Sequence, residues 1–216
     1  MGYDLQKVPA QVLPHTTYQE YLDKDRHEPA RSLREVGNTD LGTDDVDKRR
    51  YIDRAWYEQE KKIWDHVWQA ACREEHIPDP GDFHVYDIGT RSYLIVRTED
   101  GGIKAYPNAC LHRGRKLRLE SGHVDKFRCP FHGFTWTLEG EIAHVPCEWD
   151  FPQVQKDEFH LPEVHVGTFA GWVFINPDAA PMPLEQFLDP IWRHYEPYAW
   201  DQSYLGVHAG KVLKGN

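Results

Sequence analysis

Two short stretches, Cys110-Leu111-His112 and Cys129-Pro130-Phe131-His132, limit this chain more than anything else in it. Each pairs a thiol with an imidazole across a tight turn, so both side chains of a pair can aim at one point. All four metal-competent groups fall within residues 110–132 of a chain with only four cysteines. Any fold must bring the two turns face to face. Sulfur and nitrogen in equal supply suit a two-iron cluster whose irons are ligated unequally, by two thiolates and by two neutral imidazoles. Losing two thiolate charges lifts the reduction potential to somewhere within about −150 to +300 mV, against about −400 mV for all-cysteine plant-type clusters. A ligated imidazole also keeps one nitrogen free to bond an electron acceptor. Zinc takes two Cys and two His as well. Its modules keep the cysteines together and the histidines together, and the alternating order here favours iron–sulfur. Gly114 and Gly133 follow the two pairs and are expected to permit close backbone approach.

The rest of the chain narrows the setting. With 216 residues, 40% hydrophobic content and eight Trp, it can build a core. A net charge of −10 speaks against nucleic acid or an anionic membrane as partner. The start, MGYDLQKVPA, has neither the basic nor the apolar region of a secretory signal, and no apolar run approaches the ~20 residues of a membrane span. A cytoplasmic location is expected. Cys72 and Cys147 stand outside the motif and are expected to be inert buried thiols.

Residues 1–50 are polar and broken by Pro and Gly, an arm with one short helix near Thr17–Asp23. Asp44, Asp45 and Asp47 precede Ile52, Trp56, Ile63 and Val67 at helical intervals, which predicts one amphipathic helix over about 51–65 whose aromatic stripe is core. The period then changes. VWQAA, FHVYDI, RSYLIVRT, IKAYP, KFR, FTWT, EIAHV and GWVFIN read as short strands, with Leu138-Glu139-Gly140 as a hairpin turn. The fold class expected is mainly β, a small antiparallel sandwich over residues 51–178, with the metal loops at hairpin tips. Past Pro177, Pro181 and Pro183, residues 179–216 read as a connector with a helix over Leu184–Tyr195 and a further strand over Tyr204–Val212.

CLHRG and CPFHGFTWTLEGEI resemble the cluster loops of Rieske iron–sulfur proteins, and most closely the large subunit of Rieske non-haem iron ring-hydroxylating oxygenases. EKKIWDHVWQAACRE, PDPGDF, AGWVFINP and KVLKGN resemble the same family's N-terminal region, so the likeness covers about residues 45–216. It implies a [2Fe-2S] cluster on Cys110, His112, Cys129 and His132. Respiratory Rieske proteins carry an extra cysteine in each loop; Arg113-Gly114-Arg115-Lys116 and the Cys-Pro-Phe-His run lack them, which looks like the branch without the disulfide. The resemblance further implies a homotrimer, electrons from NAD(P)H through a reductase and sometimes a ferredoxin, and a mononuclear Fe(II) in the full-length protein. His132 would hydrogen-bond an Asp beside the neighbouring subunit's iron, where O2 attacks an aromatic or similar apolar substrate. Arg113, Phe131 and Trp136 flank the ligands; the two aromatics are expected to pack in the core.

The family's mononuclear site uses Asp-x2-His-x4-His on a helix. Asp157, His160 and His165 match the spacing, but Pro162 interrupts any helix that would present both histidines on one face. We therefore assign no catalytic residue here. Residues 179–216 would be the start of a catalytic domain. The alternatives are a stand-alone Rieske ferredoxin, which needs little beyond the sandwich, and a zinc-stabilised module.

Overall fold

The computed structural model describes residues 18–24, 26, 28, 29, 31–34, 45–195, 198–207 and 209–213. Two compact units separate between Asp45 and Val46. The first contributes α1 (Tyr18–Asp23), where a short helix was expected, and α2 (Arg31–Arg34). Arg34 Nη1 donates to Asp23 Oδ1 at 2.9 Å and ties the two together. Within the expected arm, residues 1–17, 25, 27, 30 and 35–44 lie outside the described residues.

The second unit opens with α3 (Arg49–Ile52) and α4 (Arg54–Ile63), not with one helix. At Asp53 the backbone turns extended, φ −86° and ψ 122°, and its carboxylate accepts the Ala55 N–H at 2.7 Å as an N-cap. The break puts Ile52 and Trp56 on separate helices, so no continuous stripe faces one surface. The expected core role fails accordingly: Ile52 is 70% exposed and Ile63 54%.

Ten strands follow: β1 (Gln69–Arg73), β2 (Asp82–Ile88), β3 (Arg91–Arg97), β4 (Ile103–Pro107), β5 (Gly122–His123), β6 (Phe127–Arg128), β7 (Thr135–Trp136), β8 (Ile142–His144), β9 (His165–Phe169) and β10 (Trp172–Asn176). They form three antiparallel sheets with orders β1-β10-β9, β4-β3-β2-β5 and β6-β7-β8. The antiparallel β reading holds, with one layer more than a simple sandwich. The reason is legible in β3, where Tyr93, Leu94, Ile95 and Val96 are buried in succession. A strand covered on both faces needs an unbroken apolar run. Leu94 and Val96 join Phe83, Tyr106, Phe127 and Trp136 in one core, while Tyr93 and Ile95 join Cys72, Ile77, Val173 and Ile175 in a second.

Two strands, β5 and β9, were not anticipated. β9 turns into β10 through Ala170 and Gly171, both at positive φ (50° and 77°), the backbone twist that suits a two-residue hairpin. Beyond Asn176, α5 (Leu184–Tyr195) has the expected limits. The strand expected over Tyr204–Val212 does not form among the described residues. A strand exists through its ladder partner, and the described residues of this segment have none; its start is held by side chains, with Arg73 Nη2 donating to Ser203 O and Leu205 N–H donating to Glu75 Oε1 at 3.0 Å. Among the described residues no helix is long and apolar enough to cross a membrane.

Candidate metal centre

The first motif loop leaves β4 at one edge of the middle sheet and crosses to β5 at the other edge. It is therefore a crossover and not the hairpin tip expected. The second loop does join a hairpin, β6 to β7. Despite unequal Cys-to-His spacing, the backbones match. Cys110 N–H donates to Arg115 O at 2.8 Å and Gly114 N–H to Cys110 O at 2.7 Å; Cys129 N–H donates to Phe134 O at 2.7 Å and Gly133 N–H to Cys129 O at 3.1 Å. In each loop the glycine four residues after the cysteine sits in the left-handed region, at φ +70° for Gly114 and +82° for Gly133. Close packing applies to Gly133 alone: a Cβ there would lie 3.3 Å from Pro146 Cγ, while nothing lies within 4 Å of one at Gly114.

These turns bring the four predicted side chains together. Cys110 and Cys129 are free, buried and within hydrogen-bond reach of each other. Burial pushes the Cys110 thiol up, and the backbone N–H groups of His112 and Arg113, which donate to its sulfur, pull the other way. The rings of His112 and His132 stand 4.8 Å apart at 66°. Half-buried His112 stacks on Phe134 at 4.7 Å and meets the edge of Phe151 at 5.6 Å. His132 is exposed, against Phe131. Desolvation, then the nearby His132 and Arg113, hold the pKa of His112 below its ordinary value, which keeps the neutral, ligand-competent form.

The donors fit a two-iron cluster. His112 Nδ1 is buried with no hydrogen-bond partner, an arrangement that costs free energy unless a ligand completes it. Among the described residues no three His, Cys, Asp or Glu side chains are grouped to hold a single ion. One zinc would need four donors on one point, whereas two irons each need two.

Other sequence expectations divide. Trp136 is core and Cys72 is buried, its thiol pushed up to about 12 by burial. Phe131, at 59% exposed, is not core, because its hairpin tip has no covering element. Cys147 is exposed too, on a left-handed turn (φ 50°) ahead of a short 3-10 segment, and is not the buried thiol expected. Arg113 is exposed beside His112. Asp157, His160 and His165 share no helix: His160 forms a lone bridge with Glu141, and His165 opens β9.

Three residues near the loops escaped the sequence. Asn108 is 2% exposed; its Oδ1 accepts the N–H groups of Leu117 and Arg118 at 3.0 Å each, and its Nδ2 donates to Arg118 O at 2.7 Å. Arg118 reaches from the first loop to the strand carrying the second. His144 shares an open hollow with Cys129, Phe131 and His132. No spacing rule marks such residues; the one available signal was a polar Asn two residues before the first cysteine. An apolar cavity of 320 Å³ lined by Phe169, Trp172, Phe174, Phe187 and Ile191 offers no acid, base or nucleophile.

Comparison with known proteins agrees with this geometry. The Rieske [2Fe-2S] domain family matches residues 67–156. The alpha subunit of biphenyl 2,3-dioxygenase from Rhodococcus jostii (strain RHA1) is 32% identical over 173 residues, which is 79% of this chain and 37% of that relative. Naphthalene 1,2-dioxygenase from Rhodococcus sp., solved with indole, superposes with a TM-score of 0.62 at 30% identity, over 67% of this chain and 34% of that one. A quaternary ammonium Rieske monooxygenase solved with L-carnitine gives 0.62 at 25%, over 68% of this chain and 43% of that one. This chain thus spans little more than a third of the length of the curated relatives it matches.

Proposed function

Because residues 67–156 match the Rieske [2Fe-2S] domain family and the chain is similar to the N-terminal part of ring-hydroxylating oxygenase alpha subunits, we propose that it is the electron-transfer portion of such an oxygenase. Cys110, His112, Cys129 and His132 are the cluster ligands in this reading. The observation that carries it is the meeting of two buried thiols and two imidazoles on loops of matching backbone. A [2Fe-2S] cluster supplies one-electron transfer when bound.

The chain's own residues set the conditions for that transfer. The N–H groups of His112 and Arg113 aim at the Cys110 sulfur and favour added negative charge there. Phe134 and Phe151 pack against His112 and shield part of its ring. His132 is left exposed, and we assign it the exit, where its outer nitrogen would bond a carboxylate of a neighbouring subunit in a homotrimer. Electrons would come from NAD(P)H through a reductase, with or without a ferredoxin. Hydroxylation of an aromatic or similar apolar substrate by O2 would take place at a mononuclear Fe(II) in the full-length protein, with residues 179–216 as the connector toward it. The cytoplasm is the fitting compartment. Resemblance to alpha subunits over most of the chain favours this reading over a stand-alone ferredoxin.

Metal analysis of the purified chain tests the centre. We expect a red-brown protein with two irons and two acid-labile sulfides per chain, an EPR signal on reduction, and loss of both iron and colour in Cys129→Ala. A colourless protein holding one zinc per chain would end the reading. The oxygenase assignment is tested separately, by O2- and NADH-dependent hydroxylation with the full-length protein and its reductase.

A further inference from the structure

Arg118 stands where the two loops meet. Its Nη1 donates to Leu117 O at 2.8 Å and to Arg128 O at 2.9 Å, and its Nη2 to Lys126 O at 3.3 Å. Arg128 is the residue before Cys129, so the guanidinium ties the end of the first loop to the strand that presents the second thiol. The head group lies over the buried rings of Phe83 and Phe127, 5.9 and 5.6 Å from their centroids. Asn108 holds both the N–H and the C=O of Arg118. Neither backbone nor head is free to swing into water.

This cation has no carboxylate partner among the described residues: none lies within 4.0 Å of it. A partly buried guanidinium solvated only by carbonyls and ring faces gives up hydration without a paired anion in return. Burial pulls the guanidinium's pKa down, and the neighbouring Cys129 opposes that pull. Arg113, Arg115 and Arg128 are also near the loops, but they are exposed and screened by water and salt.

We propose that Arg118 is a positioning residue for the cluster: its fixed, unpaired charge beside the Cys129 loop raises the reduction potential, and its donor fork holds that loop against the first. The proposal rests on the ligand assignment above. Reduction adds one electron and makes or breaks no bond, so the site becomes one charge more negative, and a nearby cation in partly desolvated surroundings favours that state.

The test is a redox titration, followed by circular dichroism and EPR, of cluster-loaded wild type, Arg118→Lys, Arg118→Gln and Arg118→Met. At a fixed ambient potential we expect the reduced-to-oxidised ratio to fall about tenfold in the two neutral variants, or about 59 mV for a one-electron couple. Arg118→Lys keeps the charge and stays near wild type. A loss of packing alone would not separate Lys from Gln in this way. Neutral variants that load fully with an unmoved potential overturn the proposal. If only Arg118→Lys retains iron, the charge is needed to hold the thiolates together, in support of it. If no variant retains iron, Arg118 is a structural clamp and the electrostatic role is overturned. A wild type without a cluster fails at the ligand assignment itself, a result distinct from any of these.

Discussion

His84 shows how a single side chain senses the packing around it. It stacks on His76 with ring centroids 5.7 Å apart, and its Nδ1 pairs with Ser121 Oγ at 3.2 Å. Burial, and then the charge His76 can carry, hold its pKa below the ordinary histidine value. The folded protein therefore takes up this proton less readily than the unfolded chain does. Above about pH 6.5 both states are neutral and His84 has no effect; below it the unfolded state is protonated first, so stability falls as pH falls. We expect Tm to drop between about pH 7 and pH 5, and His84→Gln to flatten part of that drop. An unchanged slope in the variant would assign the loss to other groups. At this scale the sequence marked the four side chains that the fold brings together, Cys110, His112, Cys129 and His132, and was misleading about Phe131 and Cys147. Ligand chemistry is written in residue type and spacing, whereas exposure depends on what other segments cover.

The two loops, as elements, are a repeated solution: a cysteine, a glycine four residues later at positive φ, and two backbone bonds closing the turn. Glycine is required twice for one reason and once for a second. Gly114→Ala meets only the cost of left-handed backbone, roughly 1–2 kcal/mol. Gly133→Ala meets that cost and Pro146 at 3.3 Å. Thermal unfolding and iron retention should therefore suffer more in Gly133→Ala; equal losses would mean that Pro146 yields freely. The Leu138–Gly140 turn was legible for the same reason, since Gly140 lies at φ +88° and Thr137 N–H closes on Glu141 O at 2.8 Å. The helix break at Asp53 was not legible, because an Asp between two helical stretches fits an exposed helix position as well as a cap. Nor was β5, two residues long and defined by its partner β2.

Across the whole molecule, charge is unevenly spread. The chain carries −10 overall, yet exposed Arg113, Arg115 and Arg128 surround the proposed cluster ligands. An acidic electron donor would be steered toward that end and turned away elsewhere. We expect its second-order reduction rate, measured by stopped flow, to fall several-fold when ionic strength rises from about 0.05 to about 0.3 M, and Arg115→Glu to lower it at low salt. A rate indifferent to both would place the contact away from these arginines. By itself the sequence singled out Cys110, His112, Cys129 and His132 as candidate ligands and determined the antiparallel β character and the punctuation of most strands. Those follow from side-chain chemistry, period and turn propensity, which are local. Only the tertiary structure decided that one sheet lies between two cores, that the first loop crosses a sheet end, and that Arg118 reaches the strand bearing Cys129. These are meetings of residues far apart along the chain, fixed by which surfaces bury together, and a bond from a guanidinium to a distant carbonyl leaves no pattern in the order of residues.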